Sequence, residues 1–121
     1  MNEYTEPNFS WAMAARSESK LSNLKDELGN KAQNVPILIA DSFNQNSLQV
    51  LCDRAEVIIS TVGPYALYGE LLVKLCALSG TDYCDLTGEA QWIKRMVERY
   101  ENEARVSGAR IVHSCGFDSI P

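Results

Sequence analysis

Absences set the first bounds on this sequence. It has one histidine, His113, and four scattered cysteines, Cys52, Cys76, Cys84 and Cys115, with no C-x-x-C pair and no spacing suited to zinc. The thiols read as reduced and mostly buried, and no metal site is expected. No apolar run approaches the roughly 18 residues of a membrane span, and Met1-Asn2-Glu3-Tyr4 has neither the basic nor the apolar region of a secretory signal. The expected location is therefore cytoplasmic. Basic residues are the minority, 11 against 16 acidic ones, and the net charge of -5 argues against a nucleic-acid surface. The seven glycines contain no G-x-G-x-x-G, so the usual phosphate cradle is missing. At 121 residues there is room for one domain or part of one, not for a two-domain enzyme.

What is present is an alternation of short apolar runs and helical stripes. Phe9 to Ala15 predicts a strand, and Leu21, Leu24 and Leu28 predict a helix that Ser17 caps and Gly29 ends. Val35 to Ala40 predicts a second strand closing on Asp41, followed by a helix with Leu48, Leu51, Cys52 and Ala55 on one face. Glu56 to Gly69 is the central stretch: Val57-Ile58-Ile59 meets Ser60-Thr61, Gly63-Pro64 breaks the extended pattern, and Leu71, Leu72, Leu75, Cys76 and Leu78 carry a helix up to Gly80. Thr81 to Leu86 predicts a fourth strand. Thr87-Gly88-Glu89 opens the longest helix, striped by Trp92 or Ile93, Met96, Tyr100 and Ala104, with Glu101 and Arg105 paired at i,i+4. Gly108 ends it, and Ala109 to His113 predicts a fifth strand. Strands alternating with helices imply βαβ units and a doubly wound parallel sheet, an α/β fold. In such a sheet ligands bind beyond the carboxyl ends of the strands, so Thr61, Val62, Gly63, Pro64 and Tyr65 are the first candidate binding edge.

The segments W-A-M-A-A-R-S, T-V-G-P-Y-A-L-Y-G, D-Y-C-D-L-T-G-E-A-Q-W and I-V-H-S-C-G-F-D-S-I-P, in that order, resemble the saccharopine dehydrogenase-like oxidoreductases, including their trans-acting enoyl reductase branch. The resemblance runs from about Asn8 onward. It implies strands two to six of an N-terminal NADP-binding Rossmann domain, preceded in the family by a glycine-rich first βα unit and followed by a substrate domain. The chain is thereby expected to be a single partial domain over 1–121, irregular over 1–8, without the first βα unit or the substrate domain. Whether an upstream start or a truncated gene accounts for this stays open. The family usually reads A-G-R-S where Ala14-Ala15-Arg16-Ser17 stands. In strand order 3-2-1-4-5-6 the absent first strand is central, so its neighbours each lose a partner.

The resemblance also assigns candidate sites. Arg16, with Ser17, stands where a 2′-phosphate is held, which favours NADP over NAD; position alone leaves Arg16 equally a solvated side chain before a helix. Asp41 falls near the adenine edge or serves as a turn former. Tyr65 and Tyr68 either face a nicotinamide or substrate or pack locally. Thr87, Gly88 and Glu89 end the fourth strand, where Glu89 either orients substrate or serves the helix dipole. His113 is a packed histidine or an acid-base group, and Cys115 has no base in the sequence beyond His113. Cys115, Gly116 and Asp118 belong to a loop that leads toward the substrate domain in the family. No catalytic residue is assigned.

Three readings follow. The first is part of the cofactor domain of an NADP-dependent oxidoreductase acting on a small-molecule or lipid substrate, with hydride transfer in the full-length protein and the fragment alone inactive. The second is a non-catalytic remnant that pairs its open strands with another chain, as in a homo-oligomer. The third is a lipid-associated protein, implied only by relatives in lipid metabolism.

Overall fold

The computed structural model describes residues 10–29 and 34–115. The chain divides into two compact units, Met1–Asp41 and Ser42–Pro121. In the first, strand β1 (Met13–Ala15) pairs in parallel with β2 (Ile37–Ile39), Met13 opposite Ile37 and Ala15 opposite Ile39. Helix α1 (Glu18–Leu28) joins them. Its ends follow from local chemistry: extended Ser17 accepts the Lys20 amide on its Oγ at 3.3 Å, and Gly29, at φ 70, closes the last turn. Met13, Leu21 and Val35 form the core here, with Trp11, Ala15, Leu28 and Ile37 against it. Leu24, expected on the buried stripe, is exposed.

The second unit contains α2 (Gln45–Arg54), β3 (Val57–Ser60), α3 (Tyr65–Tyr68), α4 (Glu70–Ser79), β4 (Asp82–Asp85), α5 (Ala90–Ser107) and β5 (Ile111–Val112). The three strands form a parallel sheet in the order β3-β4-β5, with Val57 opposite Asp82 and Tyr83 opposite Ile111. Parallel neighbours need crossover helices, and α4 and α5 supply them. The Leu-rich stretch expected as one helix is two, because Gly69 ends α3 by donating to Tyr65 O at 2.7 Å and starts α4. Glycine is required at that position: a Cβ there would lie 2.7 Å from Trp92 Cζ2 and 2.9 Å from Tyr65 O. The strands are shorter than the apolar runs predicted, since only the paired residues count as sheet.

Side chains alternate across this sheet. Tyr83 and Asp85 of β4 and Ser60 of β3 are buried, and Trp92 and Met96 of α5 complete the same core with Val73, Leu75, Cys76 and Ala77 of α4. The other face is open: Val57 is 54% exposed, Ile59 56% and Val112 54%. Among the described residues the strands thus form one two-stranded and one three-stranded parallel sheet.

Candidate functional site at the strand carboxyl ends

Asp85, the last residue of β4, organises the ends of the three-stranded sheet. Its side chain is fully buried. Oδ2 accepts Tyr83 OH at 2.8 Å and lies 2.8 Å from His113 Nδ1; Oδ1 accepts the amides of Thr87 at 3.2 Å and Ser114 at 3.1 Å. Burial by itself raises the Asp85 carboxyl, but the hydrogen bonds from His113, Tyr83, Ser114 and Thr87 outweigh it and hold the group below the usual carboxylate range. An ionised Asp85 takes the protonated Nδ1 of His113 and fixes the imidazole. Burial pushes the Tyr83 hydroxyl up, so it remains a donor. The His113 ring packs edge-on against Trp92 with centroids 5.2 Å apart, and against Tyr83 at 5.9 Å.

The same carboxylate joins two loops. Ser114 adopts φ 60, which L side chains rarely adopt, and is held there by its amide on Asp85 and by its Oγ, which donates to Thr87 O at 2.7 Å. Cys115 N donates to Asp85 O at 2.7 Å. On the other side Tyr65, buried, donates its hydroxyl to Ser60 O at 2.8 Å and accepts the Leu86 amide at 3.2 Å, tying the end of β3 to the end of β4. Its ring stacks at a tilt on Trp92, centroids 5.3 Å apart. Burial raises the Tyr65 hydroxyl above its ordinary value.

Glu89 is the N-cap residue of α5, where its carbonyl accepts the Ile93 amide at 3.1 Å, but its side chain caps α3 instead. Its Oε2 accepts the Tyr65 amide at 2.7 Å and its Oε1 the Ala66 amide at 3.0 Å. Those two N–H groups are therefore occupied, and the α3 N-terminus does not present them to a ligand. Thr87, buried, accepts the Glu89 amide on Oγ1 at 3.0 Å. Thr61, Val62, Gly63 and Pro64 are exposed, the Gly63-Pro64 peptide is cis, and the Val62 amide reaches Ser60 Oγ at 3.5 Å. Tyr68 is half-buried against Phe43, ring centroids 5.5 Å apart. Gly88 is exposed, and Cys115 is half-buried. Thus Thr61 to Tyr65, Thr87 to Glu89 and Cys115 share one end of one sheet.

Arg16, Ser17 and Asp41 lie in the first unit, at the carboxyl ends of β1 and β2. Arg16 is exposed and makes no ion pair among the described residues, whereas Ser17 Oγ is committed to capping α1. Gly116 and Asp118 fall outside the described residues. Sequence reasoning missed Asp85, Tyr83 and Ser114. Strand alternation carried part of the signal, since residues 83 and 85 must share a face; the left-handed turn at Ser114 had none. Among the described residues no group of three or more His, Cys, Asp or Glu could hold a metal ion.

A parallel α/β domain whose chemistry gathers at the carboxyl ends of its strands is a nucleotide-binding type of architecture. The chain belongs to the family of the saccharopine dehydrogenase NADP binding domain, whose model matches residues 3–112. It is 46% identical over 110 residues to a trans-acting enoyl reductase of Mycobacterium ulcerans and 44% identical over the same length to that of Mycobacterium leprae. Each match covers 91% of this chain and 26% of the relative, so the chain spans about a quarter of those proteins. Among solved structures, apo saccharopine dehydrogenase (L-Glu forming) from Saccharomyces cerevisiae shares the fold with a TM-score of 0.75, at 18% identity, over 94% of this chain and 23% of that one.

Proposed function

We propose that this chain supplies part of the NADP-binding surface of an oxidoreductase, with enoyl reduction the reaction that its mycobacterial relatives favour. One observation carries the reading. Gly63 and Gly88 stand at the carboxyl ends of β3 and β4 without positive φ, and the described residues do not need glycine at either: among them a Cβ on Gly63 would meet only the Tyr65 ring, at 3.7 Å, and one on Gly88 would meet no atom within 4 Å. Bare backbone where the packing leaves room is what close approach of a cofactor uses.

When bound, NADPH supplies the hydride. The chain's own contribution is to hold the surface still. Asp85 and Tyr65 tie the strand ends together, Thr61 to Pro64 and Gly88 present an exposed edge, and Thr87 and Glu89 set the loop between β4 and α5. Cys115, with Gly116 and Asp118 after it, and Tyr68 belong to the substrate side on this reading. In the first unit, Arg16 holds the 2′-phosphate, with Ser17 and Asp41 beside that strand end. The pyrophosphate cradle is not among these residues, so affinity in the millimolar range, and no turnover by the chain alone, is expected. Titration with NADPH and NADH followed by nicotinamide fluorescence tests this: NADPH should bind more tightly, and Arg16→Ala should erase the preference. Equal binding of both, unchanged by Arg16→Ala, would refute it.

A second reading is favoured by the half-exposed Val57, Ile59 and Val112 on one sheet face: the chain associates through that face with a second copy of itself. Light scattering showing only monomer at about 100 μM, far above the Kd of a stable homodimer, would dismiss it. No described helix is long and apolar enough to cross a membrane.

A further inference from the structure

At the opposite end of the second unit, two thiols face each other between α2 and α4. Cys52 Sγ and Cys76 Sγ are 3.8 Å apart, and both residues are buried. The backbone around them is fixed: Thr81 Oγ1 donates to Cys52 O at 2.8 Å, Thr81 N donates to Cys76 O at 3.1 Å, and Gln49 Nε2 of α2 donates to Ser79 Oγ of α4 at 3.0 Å. A disulfide needs the sulfurs at about 2.05 Å, a closure that modest side-chain rotations deliver when the Cβ vectors already converge. Neither thiol contributes to the strand carboxyl ends. Cys52, 3% exposed, is also among the residues lining an open cavity of about 580 Å³, with Asp53, Glu56, Val57, Thr81 and Asp82.

We propose that Cys52 and Cys76 are a dithiol site that a hydroperoxide oxidises to an intrachain disulfide linking α2 to α4. The Cys52 thiolate attacks one peroxide oxygen, the O–O bond breaks, and the departing oxygen takes a proton, leaving Cys52 as a sulfenic acid. The Cys76 sulfur then attacks that sulfenic sulfur; the S–O bond breaks and the oxygen leaves as water with the Cys76 proton. With hydrogen peroxide, two thiols lose two electrons and two protons, and the oxidant is reduced to two waters. The order of attack follows the pair's polarity: the hydrogen bond from Cys76 lowers the Cys52 thiol, while that bond and burial raise Cys76.

The test uses the reduced, desalted chain and one equivalent of hydrogen peroxide. Peptide mapping should recover Cys52 joined to Cys76, and thiol titration under denaturing conditions should fall from four groups to two, with dithiothreitol restoring all four. The oxidised chain should unfold at a higher temperature than the reduced one. A Cys84→Ser/Cys115→Ser double variant should retain the crosslink, and the same treatment of the guanidinium-unfolded chain should lose the selectivity for this pair. Persistence of all four thiols, oxidation stopping at sulfenic or sulfinic acid, or crosslinks confined to Cys84 and Cys115 or between chains would overturn the proposal. Wild-type mapping decides even where the double variant fails to fold.

Discussion

Asp85 is buried and its carboxylate meets four donors, so removing it strands them all at once. Asp85→Ala should cost about 3 kcal/mol of unfolding free energy, more than Asp85→Asn, which keeps one acceptor oxygen. Urea denaturation of the two variants measures both. Because the Asp85 carboxyl is held low in the folded state, the stability it contributes is present above the unfolded value of about 3.9 and is lost as pH falls through the lower folded value. Acid unfolding of the wild type should therefore steepen below about pH 4, and Asp85→Asn should flatten that limb. Trp92 makes a converse case: its Nε1 is buried with no hydrogen-bond partner among the described residues, so Trp92→Phe loses ring volume and no bond to them. It should cost about 1 to 2 kcal/mol, well under the 3 to 5 expected for Trp92→Ala. At this scale the sequence was legible where a side chain acts on its own neighbourhood, as Ser17 does on α1. It was not legible where a carboxylate reaches across the fold. Asp85 bonds residues 28 and 29 positions away, and Glu89 caps a helix 24 positions away, distances that no local pattern encodes.

The elements follow local rules more closely. Helix α5 has its predicted stripe, with Trp92 and Met96 buried, and its predicted Glu101–Arg105 pair at 2.9 Å. Gly80 and Gly108, at φ 75 and 86, end α4 and α5 as expected of left-handed caps. Strand lengths were overread because apolar runs extend past the paired residues. The break at Gly69 was invisible because its cause, the Trp92 ring, lies on another helix. That cause makes a prediction for the α3–α4 junction: Gly69→Ala should destabilise by about 1 to 3 kcal/mol through overpacking against Trp92 and the Tyr65 carbonyl, whereas Gly63→Ala should stay within about 0.5 kcal/mol. Thermal melts of both proteins compare them directly. Between α4 and α5, Glu70 accepts Tyr100 OH at 2.6 Å and Arg99 Nη1 at 2.8 Å. Those contacts, Tyr100 first, lower the Glu70 carboxyl, and burial with the Glu70 bond raises Tyr100 to about 12. The pair is half open to solvent, so Glu70→Gln should cost no more than about 1 kcal/mol.

At the scale of the molecule, the parallel α/β architecture was legible in the alternation of apolar runs with helical stripes, and the described residues carry it as a two-stranded and a three-stranded parallel sheet. The sequence reading placed the binding edge at Thr61 to Tyr65 and expected a helix N-terminus to offer its amides; instead Glu89 occupies those of Tyr65 and Ala66, and what remains open is backbone at Gly63 and Gly88. The claim at the centre of this account is that the carboxyl ends of β3 and β4 are a ligand-facing surface. Amide chemical-shift mapping of the isotopically labelled chain with NADPH up to about 10 mM, tenfold above a millimolar Kd, tests it most directly. Saturable shifts should concentrate at Gly63, Gly88 and Ser114 and should shrink in Gly63→Ala. Shifts confined to the amino-end cavity around Glu56 and Thr81, or none at all, would contradict it.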